Sequence, residues 1–276
     1  MRFKKLMSNS FSKQRLIIGQ LATDIYRCGP ASGTTHGDSK HAVLFLHGWR
    51  SNGLVWKDAM AKLSEDGFTS YAPDLPGFGG SEAPREENGW SVDDYAEYID
   101  GLLKKLEVGP VVLVGHSFGG RVGIALAAKM PECISRLVLV DAAGVREVTY
   151  GAQLKGFIAT LAKPFFKPSF MQGLRKSIYR QLGAEDYLAT LVLTKTFVRV
   201  INEDLTPILA LIKQPTLILW GDRDTDTPVS YARTMKEKIK NSSLEIFENA
   251  GHYSFLDQSA RFIHSLANFL NNSLNA

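Results

Sequence analysis

Ser117 is the residue of this chain whose surroundings most favour chemistry. Residues 115–119 read Gly-His-Ser-Phe-Gly, directly after an apolar run and directly before a helical pattern. A sharp turn between strand and helix lifts a serine hydroxyl clear of a sheet, and the flanking glycines permit the strained turn. It also leaves the amide of Phe118 at a helix N-terminus, where it can meet a developing oxyanion. The pattern predicts a nucleophile, although a glycine-rich turn with a solvent-exposed serine has the same five residues.

Polar or glycine-bearing loops follow other predicted strands as well. A serine hydroxyl is a poor nucleophile at neutral pH, so it needs a histidine within hydrogen-bond reach and a carboxylate that orients the histidine. The loops after the strands contain both residue types. They comprise residues 47–53, Asp141, residues 222–228 and residues 249–253.

Apolar strand patterns alternate with amphipathic helical patterns along most of the chain. Such alternation predicts a doubly wound, mostly parallel sheet of eight strands, which here opens with a hairpin. Ligands bind such sheets at the carboxyl ends of the strands, where the polar loops lie. We expect strands at residues 15–19, 21–27, 41–46, 69–72, 111–115, 134–141, 216–220 and 243–247, and helices at residues 55–65, 91–106, 121–130, 229–239 and 258–270.

The alternation breaks between Val145 and Asp204, where helical patterns and two prolines replace the strands. We interpret residues 145–204 as a helical cap between two parts of one α/β core, residues 1–144 and 205–276. From Val145 to Ile201 the cap has nine Lys or Arg against three acidic residues. A basic cap would attract an anionic substrate or an anionic lipid surface, but a solvated outer face has the same composition. The cap aromatics, which either pack internally or line a substrate pocket, are Phe157, Phe165, Phe166, Phe170, Tyr179, Tyr187 and Phe197.

The bulk composition is that of an ordinary globular protein. The chain has 276 residues, 45% of them hydrophobic and 22% charged, which excludes coiled-coil, collagen-like and disordered classes. No stretch approaches the ~18 apolar residues of a membrane span, so we expect no stable membrane insertion. The positively charged start lacks the apolar core of a signal peptide, so we expect a loose tail at residues 1–14 and a cytoplasmic protein. The net charge of +4 is too small to indicate a nucleic-acid partner.

No metal or cofactor site is predicted. Cys28 and Cys133 lie far apart without ligand spacing, so we expect free thiols. Aspartates at 222, 224 and 226 resemble the start of a calcium loop, but Thr227 stands where such a loop needs glycine and Arg233 where it needs glutamate. The sequence leaves a monomer and a dimer equally open.

Taken together, the loop motifs resemble those of the α/β-hydrolase family. They are His-Gly at 47–48, Gly-X-Ser-X-Gly at 115–119, Trp-Gly-X-X-Asp at 220–224 with Pro228, and Gly-His at 251–252. Each follows a predicted strand, in the family's order of serine, acid and histidine, and the likeness covers about residues 15–271. The resemblance implies the α/β-hydrolase fold with a helical cap.

The resemblance also implies roles for three side chains. Ser117 would be the nucleophile and His252 the base that takes and returns its proton. Asp224 would orient His252, because the family's acid lies four residues past the tryptophan, which selects it over Asp222 and Asp226.

Further roles follow from the same resemblance. The oxyanion hole would consist of the backbone amides of Trp49 and Phe118. We expect His47 to brace the oxyanion loop and His116 to pack beneath the turn. Asp141 stands where some relatives place the acid, and it is the alternative to Asp224.

The predicted reaction is hydrolysis of a small-molecule ester. Serine at position 117 argues against haloalkane dehalogenases and epoxide hydrolases, relatives that use aspartate. We expect a carboxylesterase that cleaves small to medium acyl esters through an acyl-enzyme intermediate. Hydrolases of carbon–carbon bonds in vinylogous diketones usually resemble Gly-Asn-Ser-Met-Gly-Gly at the turn and have tryptophan after the histidine, where this chain has His116, Phe118 and Tyr253.

Two alternatives remain open. One is a carbon–carbon bond hydrolase or a lactonase of the same fold. The other, from a different class, is a small-molecule receptor or regulatory protein that retains the triad without turnover.

Overall fold

An eight-stranded sheet forms the centre of the protein. The computed structural model describes residues 10–30, 42–146 and 184–271, and for residues 184–192 the backbone alone. The strands are β1 (Ser10–Ile18), β2 (Leu21–Gly29), β3 (Ala42–Leu46), β4 (Thr69–Pro73), β5 (Val111–His116), β6 (Ile134–Val140), β7 (Thr216–Gly221) and β8 (Ser242–Phe247).

The strand order is β1-β2-β4-β3-β5-β6-β7-β8. Strand β2 is antiparallel to both β1 and β4, and every other neighbouring pair is parallel. Because parallel strands share an orientation, the carboxyl ends of β3 and β5 to β8 lie at one edge of the sheet. The predicted doubly wound sheet with an opening hairpin is therefore confirmed.

Helices cover both faces of the sheet. On β3, Leu44 and Leu46 join one apolar cluster while Val43 and Phe45 join a second, as the period of two in a strand requires. The helices are α1 (Lys57–Glu65), α2 (Val92–Leu106), α3 (Phe118–Lys129), α4 (Ala184–Asn202), α5 (Val229–Lys238), α6 (Ser254–Asp257) and α7 (Ser259–Asn271). The first cluster includes residues of α2, α3 and α5, and the second includes residues of α1 and α7.

The expected loose tail at residues 1–14 is wrong for its last five residues. Residues 10–14 extend β1 and pair with residues 25–29 of β2. Lys13 reinforces the pairing through an ion pair with the buried Asp24, at 2.7 Å. The extension was not predicted because β1 is an edge strand with mostly exposed side chains, so residues 10–14 lack an apolar run. Residues 1–9 lie outside the described part of the chain.

Part of the predicted cap is helical. Helix α4 lies at its C-terminal end, whereas residues 147–183 are outside the described residues, so the cap boundaries stay a prediction. Within the described ranges, no helix combines the length and apolar character needed to cross a membrane. The compartment also stays a prediction.

The C-terminal end of α4 is bound to the helix that follows Ser117. Arg121 of α3 is buried, and its guanidinium donates hydrogen bonds to the carbonyls of Val200 and Glu203. The carboxylate of Glu203 in turn accepts a hydrogen bond from the amide of Val92, at the start of α2. A helix C-terminus leaves its last carbonyls unpaired, so a cation there is stabilising.

We expect Arg121→Met to lower the free energy of unfolding by about 3 kcal/mol, because the buried carbonyl of Val200 and the partly buried carbonyl of Glu203 lose a charged donor. Urea denaturation measures this change. Lys129→Met on the same helix is the control, since its ion pair with Asp93 is exposed and contributes less than about 1 kcal/mol. Equal effects of the two substitutions would contradict the anchoring role of Arg121.

Candidate active site

Ser117 occupies a strained turn between β5 and α3. Its φ is +50°, in the left-handed region. A Cβ added at Gly119 would lie 2.3 Å from the carbonyl oxygen of Leu46, and one at Gly115 would lie 2.5 Å from the carbonyl oxygen of Gly119. Only glycine fits at these two positions, so the packing requires the glycines that the motif predicted.

The structure brings together the three side chains predicted to act as a triad. His252 Nε2 lies 2.9 Å from Ser117 Oγ, and His252 Nδ1 lies 2.8 Å from Asp224 Oδ2. A carboxylate only accepts, so Nδ1 has the proton and donates it to Asp224. Nε2 is then free to accept the hydroxyl proton of Ser117.

Asp224 accepts hydrogen bonds from its own loop as well. The hydroxyl of Thr227 donates to Oδ2 at 2.6 Å, and the amides of Asp226 and Thr227 donate to Oδ1 at 2.8 and 2.9 Å. Thr227 was not among the predicted site residues. The signal that identifies it is its place three residues after an aspartate in a turn, where an Asp side chain accepts from the backbone.

The pKa values of the paired groups move in opposite directions. Burial raises the pKa of Asp224, but the hydrogen bond and positive charge of His252 outweigh burial and bring that pKa below its ordinary range. Burial lowers the pKa of His252, but the bond to Asp224 and its charge outweigh this and raise the pKa above the ordinary value. The pair therefore favours an ionised carboxylate beside a basic imidazole.

Asp141 lies near the triad but binds other groups. Its carboxylate accepts from the amide of Gly221 at 2.8 Å and from the hydroxyl and amide of Ser254 at 2.6 and 3.1 Å. Burial raises the pKa of Asp141 to about 7. Because Asp224 and not Asp141 is hydrogen-bonded to His252, the geometry favours Asp224 for the acid position.

The amides of Trp49 and Phe118 lie in the segments beside Ser117. Phe118 is the first residue of α3, so its amide has no acceptor within the helix. In the described part of the chain, neither amide donates a hydrogen bond. A Cβ added at Gly48 would lie 3.4 Å from Ser117 Cβ, so the loop that contains Trp49 packs directly against the nucleophile turn.

His47 supports this loop from below. Its Nε2 accepts a hydrogen bond from the amide of Leu75 at 2.9 Å, so Nδ1 has the proton and donates to the carbonyl of Gly48 at 2.8 Å. Burial lowers the pKa of His47 to about 4. His47 is therefore neutral, and its two hydrogen bonds brace the loop, as expected from the sequence.

Aromatic rings form an apolar wall around the two amides. The indole of Trp49 contacts Phe78, Phe118 and Phe197, with ring centroids 4.8, 5.1 and 5.1 Å away. Phe197 belongs to α4, so the predicted cap contributes at least one side chain here. The other cap aromatics proposed as lining have side chains outside the described residues: Phe157, Phe165, Phe166, Phe170, Tyr179 and Tyr187.

No group of His, Cys, Asp and Glu side chains suited to hold a metal ion occurs in residues 10–30, 42–146 and 184–271. Asp224 of the calcium-like sequence uses its carboxylate for His252 and Thr227 instead. Cys28 and Cys133 are both free thiols, as predicted.

Comparison with known proteins agrees with this fold. The chain is similar to the pimeloyl-[acyl-carrier protein] methyl ester esterase of Nitrosomonas europaea, with 28% identity over 240 residues, 80% of this chain and 92% of the relative. It is also similar to the 2-hydroxymuconate semialdehyde hydrolase of Pseudomonas sp. strain CF600, with 26% identity over 279 residues, 91% of this chain and 94% of the relative.

Among solved structures, a membrane phospholipase A described as a bacterial virulence factor superposes with a TM-score of 0.76 at 24% identity, over 96% of this chain and 87% of that one. At that identity the likeness shows the fold. The model of the alpha/beta hydrolase family matches residues 43–264, which include most of the sheet. The chain therefore belongs to the alpha/beta hydrolase family.

Proposed function

We propose that this protein is a serine hydrolase that cleaves carboxylic esters with small to medium acyl groups. The observation that carries the proposal is the hydrogen-bonded chain from Ser117 through His252 to Asp224. Two backbone amides, those of Trp49 and Phe118, lie beside the nucleophile as donors for an oxyanion. The similarity to a methyl ester esterase supports an ester as the substrate.

The first half of the reaction forms an acyl-enzyme. Ser117 Oγ attacks the ester carbonyl carbon while His252 Nε2 takes the hydroxyl proton. The carbonyl oxygen becomes an oxyanion, which accepts hydrogen bonds from the amides of Trp49 and Phe118. The intermediate then collapses, and the alcohol leaves with the proton returned by His252. Asp224 stabilises the imidazolium that exists between the two transfers.

The second half returns the enzyme to its starting state. A water molecule gives a proton to His252 Nε2 and attacks the acyl carbon, which forms a second oxyanion in the same hole. Collapse of this intermediate breaks the bond to Ser117 Oγ, which regains the proton. The products are one carboxylic acid and one alcohol, and no metal or other cofactor takes part.

Hydrolysis of a carbon–carbon bond is the second candidate. The similarity to 2-hydroxymuconate semialdehyde hydrolase favours it, because that relative matches 91% of this chain. The same oxyanion donors and triad would serve a vinylogous diketone. His116 and Phe118 flank Ser117 in place of the asparagine and methionine that such enzymes usually have, so we rank the ester first.

Nitrophenyl esters of graded acyl length test the proposal. We expect many turnovers per enzyme, and a loss of at least about a thousandfold in kcat for Ser117→Ala and for His252→Ala. The controls are Ser243→Ala and His264→Ala, both at exposed positions, which should leave kcat unchanged. The rate should rise with pH through a midpoint above the ordinary histidine pKa, because Asp224 raises the pKa of His252.

Other outcomes of that panel separate the alternatives. Acylation of Ser117 by the ester that releases one nitrophenol per protein and then stops indicates a receptor or regulatory protein. Turnover of a vinylogous diketone but of no ester indicates the carbon–carbon bond hydrolase. Activity that survives Ser117→Ala is incompatible with a serine hydrolase of either kind.

Substitution of the aspartates identifies the acid. We expect Asp224→Asn to lower kcat by about 10³–10⁴-fold, because an amide stabilises the wrong tautomer of His252. Asp222→Asn and Asp226→Asn are exposed controls from the same loop and should change kcat by less than about threefold. If Asp141→Asn removes activity from a folded enzyme while Asp224→Asn does not, the acid is Asp141.

Phe197→Ala tests the aromatic wall. The ring packs on the indole beside an oxyanion donor, so its removal opens space for the substrate. We expect kcat/KM for esters two methylenes longer than the wild-type optimum to rise about tenfold relative to the optimum, since each buried methylene contributes about 0.8 kcal/mol. Val198→Ala, at the next and more exposed position of α4, should leave the profile unchanged. Identical profiles for the two variants would remove Phe197 from the substrate site.

A further inference from the structure

His116 lies against three segments of the proposed active site, the turn of Ser117 and the loops of His252 and Gly48. It directly precedes Ser117, and its ring is buried beneath the turn. Its Nε2 lies 2.7 Å from the backbone carbonyl oxygen of His252. A Cβ added at Gly48, in the oxyanion loop, would lie only 2.9 Å from the Nδ1 of His116. The imidazole of His116 therefore packs beneath the turn of Ser117, bonds the loop of His252 and lies close to Gly48.

The contacts define the protonation state of His116. A carbonyl oxygen only accepts, so Nε2 has the proton and donates it to His252. Burial lowers the pKa of His116 to about 3, with a further contribution from the charge of His252. The ring is therefore neutral across the working range of the enzyme, and it remains a donor at every pH at which His252 titrates.

The remaining nitrogen of His116 gives the fold no hydrogen bond. Among the described groups, Nδ1 is buried and has no partner. A buried acceptor without a partner is destabilising, and an apolar side chain of similar length would avoid that cost. The hydrogen bond from Nε2 is therefore the polar contact of His116 that a methionine at this position would lack.

We propose that His116 is a positioning residue that holds the backbone of His252 and thereby sets the distance between the base and Ser117. The proposal rests on the proposed function, because it needs Ser117 and His252 to react as a pair. His116 donates a hydrogen bond to the backbone carbonyl of His252, while Asp224 accepts one from the Nδ1 of the same residue. Because both the backbone and the ring of His252 are held, its Nε2 is directed at Ser117 Oγ.

Two nearly isosteric substitutions separate the hydrogen bond from packing. Glutamine places an amide N–H about where histidine places Nε2, and methionine fills the same length without a donor. We expect His116→Met to lower kcat and the rate of Ser117 labelling by a fluorophosphonate at least about tenfold, because a shift of the base away from the nucleophile slows proton transfer. KM should stay within about twofold. The melting temperature should change little, because the carbonyl of His252 loses a donor while the unpaired Nδ1 is removed as well. His116→Gln should recover the wild-type rates to within about threefold.

The outcomes distinguish this inference from the proposed function. If wild-type protein is not labelled by the fluorophosphonate, the proposed function fails first. If it is labelled and His116→Met reacts as fast, or His116→Gln reacts as slowly as His116→Met, the donor does not position the base and the inference is wrong. A parallel fall of kcat and melting temperature in His116→Met would also overturn it, because it would indicate a structural role.

A measurement on unmodified protein covers the case in which a variant does not fold. Nitrogen-15 labelled histidine reports the tautomer of each ring by NMR. We expect His116 to remain neutral with its proton on Nε2 from pH 8 to pH 5, and His252 to take up its proton at a higher pH than an ordinary histidine. A proton on Nδ1 of His116, or titration of His116 together with His252, would contradict the hydrogen bond on which the inference depends.

Discussion

The close approach of α3 to the neighbouring strands is the constraint on which the site depends. A Cβ at Gly119 would meet the carbonyl of Leu46, and one at Gly120 would lie 2.5 Å from the Cβ of Ala142. Because both residues are glycines, α3 begins directly against the ends of β3 and β6, and Ser117 is held in its strained turn. Leu46 immediately precedes the oxyanion loop. The contact that permits the turn therefore also brings the loop of Trp49, whose amide is a proposed oxyanion donor, against Ser117.

His252 reaches Ser117 through a second close backbone approach. A Cβ at Gly221, the last residue of β7, would lie 2.3 Å from the carbonyl oxygen of Gly251. The loop of His252 thus crosses directly over the strand from which the Asp224 loop leaves. Asp141 ties the two loops together, because its carboxylate bonds Gly221 on one side and Ser254 on the other. The 2.8 Å contact between acid and base follows from this backbone arrangement as much as from their own side chains.

Features with a local sequence signal were predictable, and features made by distant contacts were not. The glycines around Ser117 and the order of strands and helices indicated the turn and the sheet, since both depend on neighbours in the chain. His252, 135 positions from Ser117, was predicted as its partner only through the resemblance of the loop motifs to the family. The extension of β1 at residues 10–14 had no apolar pattern, because an edge strand needs none. The bonds of Arg121 to the end of α4 and of His116 to His252 join residues 79 and 136 positions apart. Nothing in the spacing of one sequence specifies such pairs, so only the coordinates reveal them.

Three histidines lie within the loop motifs, His47, His116 and His252, and their environments give them different acid–base properties. His47 and His116 are buried without a carboxylate partner, and burial lowers the pKa of each, to about 4 and about 3. His252 is also buried in part, but Asp224 raises its pKa above the ordinary value. Of the three, only His252 therefore becomes more basic than an ordinary histidine, while the other two remain neutral and make fixed hydrogen bonds to the backbone. The carboxylate thus selects which imidazole acts as the proposed base, and the two neutral imidazoles hold the backbone of Gly48 and of His252 beside Ser117.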